Sequence, residues 1–181
     1  MDVDSRPGTA SSSVLTYDAS DLSLTANGQS VAWAPSTNAS ASNMDVTLGA
    51  GSSVMTPSSA YFSKAVSSPV SGAFPSFSSA GFAGNATTDF SFEIWVKPSD
   101  LSGSHILFET GGATIGTSLL LIDNTIHFVY STGGSPVGDV TSVLGSMPSD
   151  FIQILGVMDV DTGMTLYVKG TSVNSASLAI G

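Results

Sequence analysis

The segment Asp159-Val160-Asp161-Thr162-Gly163 sets two carboxylates two residues apart and closes on a glycine. That spacing suits a hard cation, because alternate residues of a loop can turn oxygens to one side, and calcium gathers about six to eight of them. The longer calcium-loop pattern does not continue, since Tyr167 and Val168 fall where further ligands would be needed. The same five residues also read as a polar hairpin turn. Asp123 is the third metal candidate, and Asp18, Asp21, Asp45 and Asp139 could join only if the fold gathers them. The expected metal set is therefore Asp159, Asp161 and Asp123, with Ca2+ as the one cofactor this chemistry suggests.

Trp95 and Glu93 are the candidate ligand-binding pair. Both lie on the polar side of an alternating run, where an indole face can stack on the apolar face of a sugar ring. The alternative is that Trp95 packs beneath a loop or against a neighbouring strand, and that Glu93 is a surface carboxylate. Catalysis finds less support. Glycoside hydrolysis needs two carboxylates roughly 5–10 Å apart. The chain has only two glutamates, Glu93 and Glu109, and they share no short motif. His105 and His127 lie in separate strand candidates, without ligand spacing. No Gly-x-Ser-x-Gly elbow accompanies the many serines. No catalytic residue is assigned.

The elements that must position these groups read as strands. Phe90, Phe92, Ile94 and Val96 alternate with Ser91, Glu93, Trp95 and Lys97 until Pro98. A period of two marks a strand buried on one face. Further strands are expected at Val14–Tyr17, at Gln29–Trp33 after Asn27-Gly28, and in a short run at Asp45–Leu48. His105–Glu109, Thr117–Ile122, Thr125–Tyr130, Asp150–Asp159 and Thr165–Lys169 follow, and Leu178–Ile180 begins another. Asp123-Asn124 is a two-residue hairpin signal, and Asp161-Thr162-Gly163 marks a second turn. Residues 63–89 read as a long loop pinned by Phe74, Phe77 and Phe82. No segment carries an apolar stripe of helical period. Short strands joined by Gly, Asn and Asp turns argue an all-β antiparallel sandwich. Residues 1–13 read as a flexible lead-in or linker, and 14–181 as one domain.

Composition narrows the function. The chain has 181 residues, of which 41% are hydrophobic, so it can build a core. Charged residues make up only 10%, against roughly 25% in an average domain. Fourteen acids, twelve of them Asp, face four Lys and Arg, for a net charge of -10 and a pI near 4.1. That sign repels phosphate backbones and anionic lipid, so nucleic acid and membrane insertion are not expected as partners. The absence of Cys excludes disulfides, thiolate metal sites and thiol nucleophiles. No apolar run reaches the roughly 18 residues of a membrane span. The N-terminus lacks a signal-peptide core, so export would require a leader outside this sequence.

One stretch carries a family likeness: Asp89-Phe90-Ser91-Phe92-Glu93-Ile94-Trp95-Val96-Lys97-Pro98, His105-Ile106-Leu107-Phe108-Glu109, Phe151–Val157 and Leu166-Tyr167-Val168-Lys169-Gly170. In order and spacing these resemble the concanavalin A-like lectin/glucanase superfamily, in its laminin-G-like and pentraxin-like branch. The resemblance implies a jelly-roll sandwich of two curved antiparallel sheets. It further implies an extracellular or cell-surface recognition module that binds carbohydrate or protein, in many cases with calcium near the ligand loops. The glucanase signature, with two glutamates on one strand face, is missing here. Such domains continue past the "L-Y-V-N-G" strand, whereas eleven residues follow Gly170. Either Leu178–Ile180 closes the sheet, or an edge is left open to pair with another copy of the chain. The functional expectation is thus a non-enzymatic adhesion or recognition module. A self-assembling subunit of a surface layer, filament or virion is the alternative, and a glycoside hydrolase ranks last.

Overall fold

The computed structural model describes residues 32–33, 46–47, 53–62, 65–67, 89–111 and 115–176. The chain divides into two compact units, Met1–Gly81 and Phe82–Gly181. In the first, β1 (Ala32–Trp33) pairs antiparallel with β2 (Val46–Thr47), and β3 (Ser53–Met55) with β4 (Ala65–Ser67). The expected strands at Val14–Tyr17 and Leu178–Ile180 lie outside the described residues, as do Phe74, Phe77 and Phe82.

The second unit holds two four-stranded antiparallel sheets. One runs in chain order through β6 (Ser104–Gly111), β7 (Ile115–Ile122), β8 (Thr125–Thr132) and β9 (Ser135–Val143). The other has the spatial order β12 (Thr171–Ala176), β11 (Gly163–Val168), β10 (Ile152–Asp159), β5 (Phe90–Val96). Their inner faces meet in one core. Leu119, Leu121, Ile126, Phe128 and Val140 come from the first sheet, and Ile152, Ile154, Met158, Met164 and Leu166 from the second. This is the all-β, two-sheet sandwich that the alternation predicts. The described residues contain no helix, and so none long and apolar enough to cross a membrane.

Two-residue hairpins set three of the registers. Asp123 and Asn124 have φ of 42° and 62°, and Ile122 pairs with Thr125 across them. Gly133 and Gly134 (61° and 79°) join β8 to β9, and Lys169 and Gly170 (53° and 73°) join β11 to β12. Two successive positive φ values give the turn whose twist matches that of antiparallel strands. Lys169 pays for that match, because a side chain is strained in the left-handed region.

Four strands were not expected: β3 and β4, the latter inside the segment 63–89 that reads as a loop, and, in the second unit, β9 and β12. β9 carries Pro136 and Gly138, which mask its pattern. β12 is polar and exposed along nearly its whole length, so it has no buried alternation to read. The fourth strand of the second sheet is thus Thr171–Ala176, upstream of Leu178–Ile180, one of the two ways the sequence offered for ending the sheet.

Packing is close at Gly156. This residue pairs with Phe92 on one side and Leu166 on the other. A Cβ here would stand 3.1 Å from Phe92 Cζ and 3.2 Å from Phe128 Cε2. The Phe92 ring crosses that gap, meeting Phe128 edge-on at 5.4 Å between centroids and stacking on Phe108 at 4.5 Å. Gly156→Ala is expected to destabilise the protein by about 1–3 kcal/mol through overpacking, read as a lower midpoint in urea.

Thr117 is fully buried, and its hydroxyl has no partner. Its register neighbours are Thr110 and Tyr130. An orphaned buried hydroxyl carries its desolvation cost uncompensated. Thr117→Val, which keeps the shape, is expected to leave stability unchanged or raise it by up to about 1 kcal/mol, measured in the same urea titration.

Candidate functional site

Strand parity decides which side chains reach solvent. On β5, Phe90, Phe92, Ile94 and Val96 pack against the core. Ser91, Glu93 and Trp95 therefore project from the outer face. On β10, the buried residues Ile152, Ile154, Gly156 and Met158 alternate with Gln153, Leu155 and Val157, which share that outer face. β11 adds Thr165 and Tyr167 between its buried Met164, Leu166 and Val168.

Trp95 and Glu93 come together as expected from sequence. Trp95 is half-buried, and its indole Nε1 donates to Glu93 Oε1 at 2.8 Å. Gln153, the register partner of Trp95, donates from Nε2 to the same oxygen at 2.8 Å. One carboxylate oxygen thus ties an indole and an amide into one cluster across two strands. Beyond Gln153 lies the Lys169–Gly170 turn, whose Lys169 N–H donates to Gln153 O at 2.9 Å. The row beside it runs Glu93, Leu155, Tyr167. The result is a half-buried, half-apolar face with two aromatic side chains and a charge-assisted hydrogen-bond cluster that restrains the indole. Gln153 was not singled out in the sequence, although its polar side chain at an outward position of an Ile-rich strand marks it.

Glu93 and Glu109 do not pair. Glu93 projects from the outer face of the second sheet. Glu109, exposed and in register with Ser118, projects from the outer face of the first. The core lies between them, and stacked sheets are already about 10 Å apart before outward side chains are added. That is too wide for the carboxylate geometry of glycoside hydrolysis.

The three aspartates of the expected metal set do not converge. Asp123 sits in the β7–β8 turn, where its Oδ1 accepts Gly103 N at 2.9 Å. That turn also receives the segment after β5, through Asn124 N to Leu101 O at 2.7 Å, so it lies at the Val96 end of the strand. Asp159 and Asp161 lie at the opposite end, beside Phe90, which pairs with Met158. A seven-residue strand separates the two places by about 20 Å. Asp159 Oδ1 already accepts Asp161 N at 2.9 Å and Thr162 N at 2.8 Å. Asp89 Oδ1 takes Val160 N at 2.9 Å. The carboxylates thus satisfy all three amides of the turn. Among the described residues, no three His, Asp or Glu side chains form a metal cluster. Asp123, Asp159 and Asp161 do not fit a single calcium ion.

His127 Nδ1 lies 3.0 Å from Asp139 Oδ2, on the outer face of the first sheet. His105 Nε2 lies 2.8 Å from Ser102 O. His127 thus meets a neighbouring strand of its sheet, and His105 the loop that leads into β6.

A family model of the concanavalin A-like lectin/glucanases superfamily, of laminin G type, matches residues 72–181. The match spans more than half of the chain and contains both sheets of the sandwich. The chain belongs to this superfamily, whose laminin G-like members are binding modules. No curated protein and no solved structure matches the chain.

The turn generates a pH-dependent prediction. The amides of Thr162 and Asp161 hold the Asp159 carboxyl below its ordinary value of 3.8, because they favour the charged form. A carboxylate lowered in the folded state contributes stability above its unfolded pKa and loses it as pH falls through the folded one. Asp159→Ala is expected to melt below the parent protein at neutral pH. The gap should narrow as pH falls below 3.8, as followed by circular dichroism melts across an acid series.

Proposed function

We propose that the protein is a non-enzymatic recognition module that works outside the cell and binds a carbohydrate or protein ligand through the outer face of the β5–β10–β11–β12 sheet. The observation that carries this reading is the Trp95–Glu93–Gln153 cluster. A solvent-facing indole normally costs hydration without return. Here it is restrained by a charged acceptor, on the same sheet face as a second aromatic residue, Tyr167 on β11, and on a sheet that the core holds rigid. An oriented ring offers stacking area, and the neighbouring carboxylate and amide offer hydrogen bonds to hydroxyls. Carbohydrate is the ligand class this combination fits best. A match to the laminin G type, whose members are typically binding modules within a superfamily that also holds glycosidases, supports the role, and the separation of Glu93 from Glu109 supports a role without hydrolysis. The low charge content and net charge of -10 favour a neutral or cationic ligand over nucleic acid.

The test is binding to an immobilised glycan panel, followed by titration calorimetry on each hit. Trp95→Ala is expected to weaken binding by about 2 kcal/mol or more while leaving the melting temperature nearly unchanged. Gln153→Ala should weaken it less. Undiminished binding by Trp95→Ala would remove this face as the site, and release of reducing sugar would overturn the non-enzymatic reading. Repeating the titration with calcium and with EDTA decides whether a cation takes part.

A further inference from the structure

The two aromatic residues on the outer face of the second sheet stand too far apart to serve one sugar ring. Trp95 pairs with Gln153, and Tyr167 pairs with Leu155, two residues further along β10. One strand, β10, lies between them. Two strand spacings of about 4.8 Å and a step of about 7 Å along the strand set their Cα atoms about 12 Å apart. Side chains stand roughly perpendicular to a sheet, so the rings keep much of that separation. Stacked rings lie with centroids about 4.5–7 Å apart. A sugar seated on Trp95 is therefore out of reach of Tyr167.

The ground between the rings is suited to further sugars. The line from Trp95 to Tyr167 passes between Gln153 and Leu155, half-buried neighbours on the outer face of β10. Leu155 gives an apolar floor. The polar atoms around it are only partly used. Glu93 Oε1 accepts from both Trp95 Nε1 and Gln153 Nε2. Among the described residues, no donor meets Glu93 Oε2 or Gln153 Oε1, and the Tyr167 hydroxyl has no hydrogen-bond partner. Among the same residues, the Thr117 hydroxyl is the one unpartnered side-chain group that is cut off from water, so these three oxygens remain accessible. They are two acceptors and a hydroxyl, the groups that sugar hydroxyls recognise.

We infer that the ligand is a linear, neutral oligosaccharide that crosses the strands diagonally, with one ring on Trp95, the next over Gln153 and Leu155, and a further one on Tyr167. The inference rests on the carbohydrate reading of this face and adds the length and the charge of what it takes. The chain is neutral because the exposed Glu93 carboxylate and the net charge of -10 repel uronates and sulfated sugars. Tyr167 is the residue that sets specificity for length, since a short ligand on Trp95 never touches it.

The test is titration calorimetry of the full chain with cello-, laminari-, xylo- and manno-oligosaccharides, from the monosaccharide to the hexasaccharide. In at least one series, affinity is expected to climb with length and to level off at the trisaccharide or tetrasaccharide, once the ligand spans both rings. Tyr167→Ala is expected to weaken the plateau by about tenfold and to leave the disaccharide unaltered, whereas Trp95→Ala weakens every length. Tyr167→Phe keeps the ring, loses the hydroxyl and should cost about threefold. Melting curves check that each variant is folded, and the length series on the unmodified protein stands without any variant. Binding that needs Trp95 but does not change with length overturns the chain ligand and leaves the Trp95 face as the site. A plateau that survives Tyr167→Ala does the same. Binding that Trp95→Ala leaves undiminished overturns the reading of the face as well. A panel without any binding overturns the inference and leaves the face to a protein ligand.

Discussion

The aromatic contact across Gly156 fixes the relation between the two sheets. Phe92 belongs to β5, and Phe108 and Phe128 to β6 and β8, so one ring bridges both layers of the sandwich. It can do so because its register partner has no side chain. Once Phe92 is turned inward, strand geometry leaves no freedom for its neighbours. Glu93 and Trp95 must stand one on each side of Ile94 and face outward. A register slip of one residue would bury Glu93 and expose Phe92, which the core does not permit. The candidate binding face is therefore a consequence of how the core is packed.

Several acidic residues fit the polar-turn reading of their spacing. Asp89 and Asp159 neutralise the amides of the β10–β11 turn, and Asp123 and Asp100 do the same for the segment between β5 and β6. Asp is short enough to fold back on nearby amides, which is why it dominates turns. In a chain with only three lysines and one arginine, backbone N–H groups are the most numerous partners for carboxylates. Among the described residues, Asp89, Asp100, Asp123 and Asp159 are all held by backbone amides.

The likeness of residues 89–171 to the superfamily rests on packing positions, and the structure explains why. Phe90, Phe92, Ile94 and Val96 pack on the core, and Ile152, Ile154, Leu166 and Val168 are buried. Such residues specify a fold and say little about a ligand. What distinguishes this chain lies outward, in Trp95, Glu93, Gln153 and Tyr167.

From sequence alone, the alternating run places β5 within one residue of its observed end, and the other strand and turn signals place β6, β7, β8, β10 and β11 within a few residues of their observed bounds. Each has a buried face that must alternate with a wet one. The Asp123-Asn124 turn was legible for the same local reason, since two left-handed residues select it. The pairing of Trp95 with Glu93 was also local, being two positions apart on one strand. Only the tertiary structure decided the rest. β12 carries no hydrophobic alternation, so its place at the sheet edge follows from its hairpin with β11 and its bond to β9. Gln153 reaches Glu93 because β10 lies antiparallel to β5, a contact 60 residues apart in the chain. Asp123 and Asp159 end at opposite ends of the strands because a strand's length separates the turns that hold them. Long-range pairing sets such distances, and no local spacing encodes it.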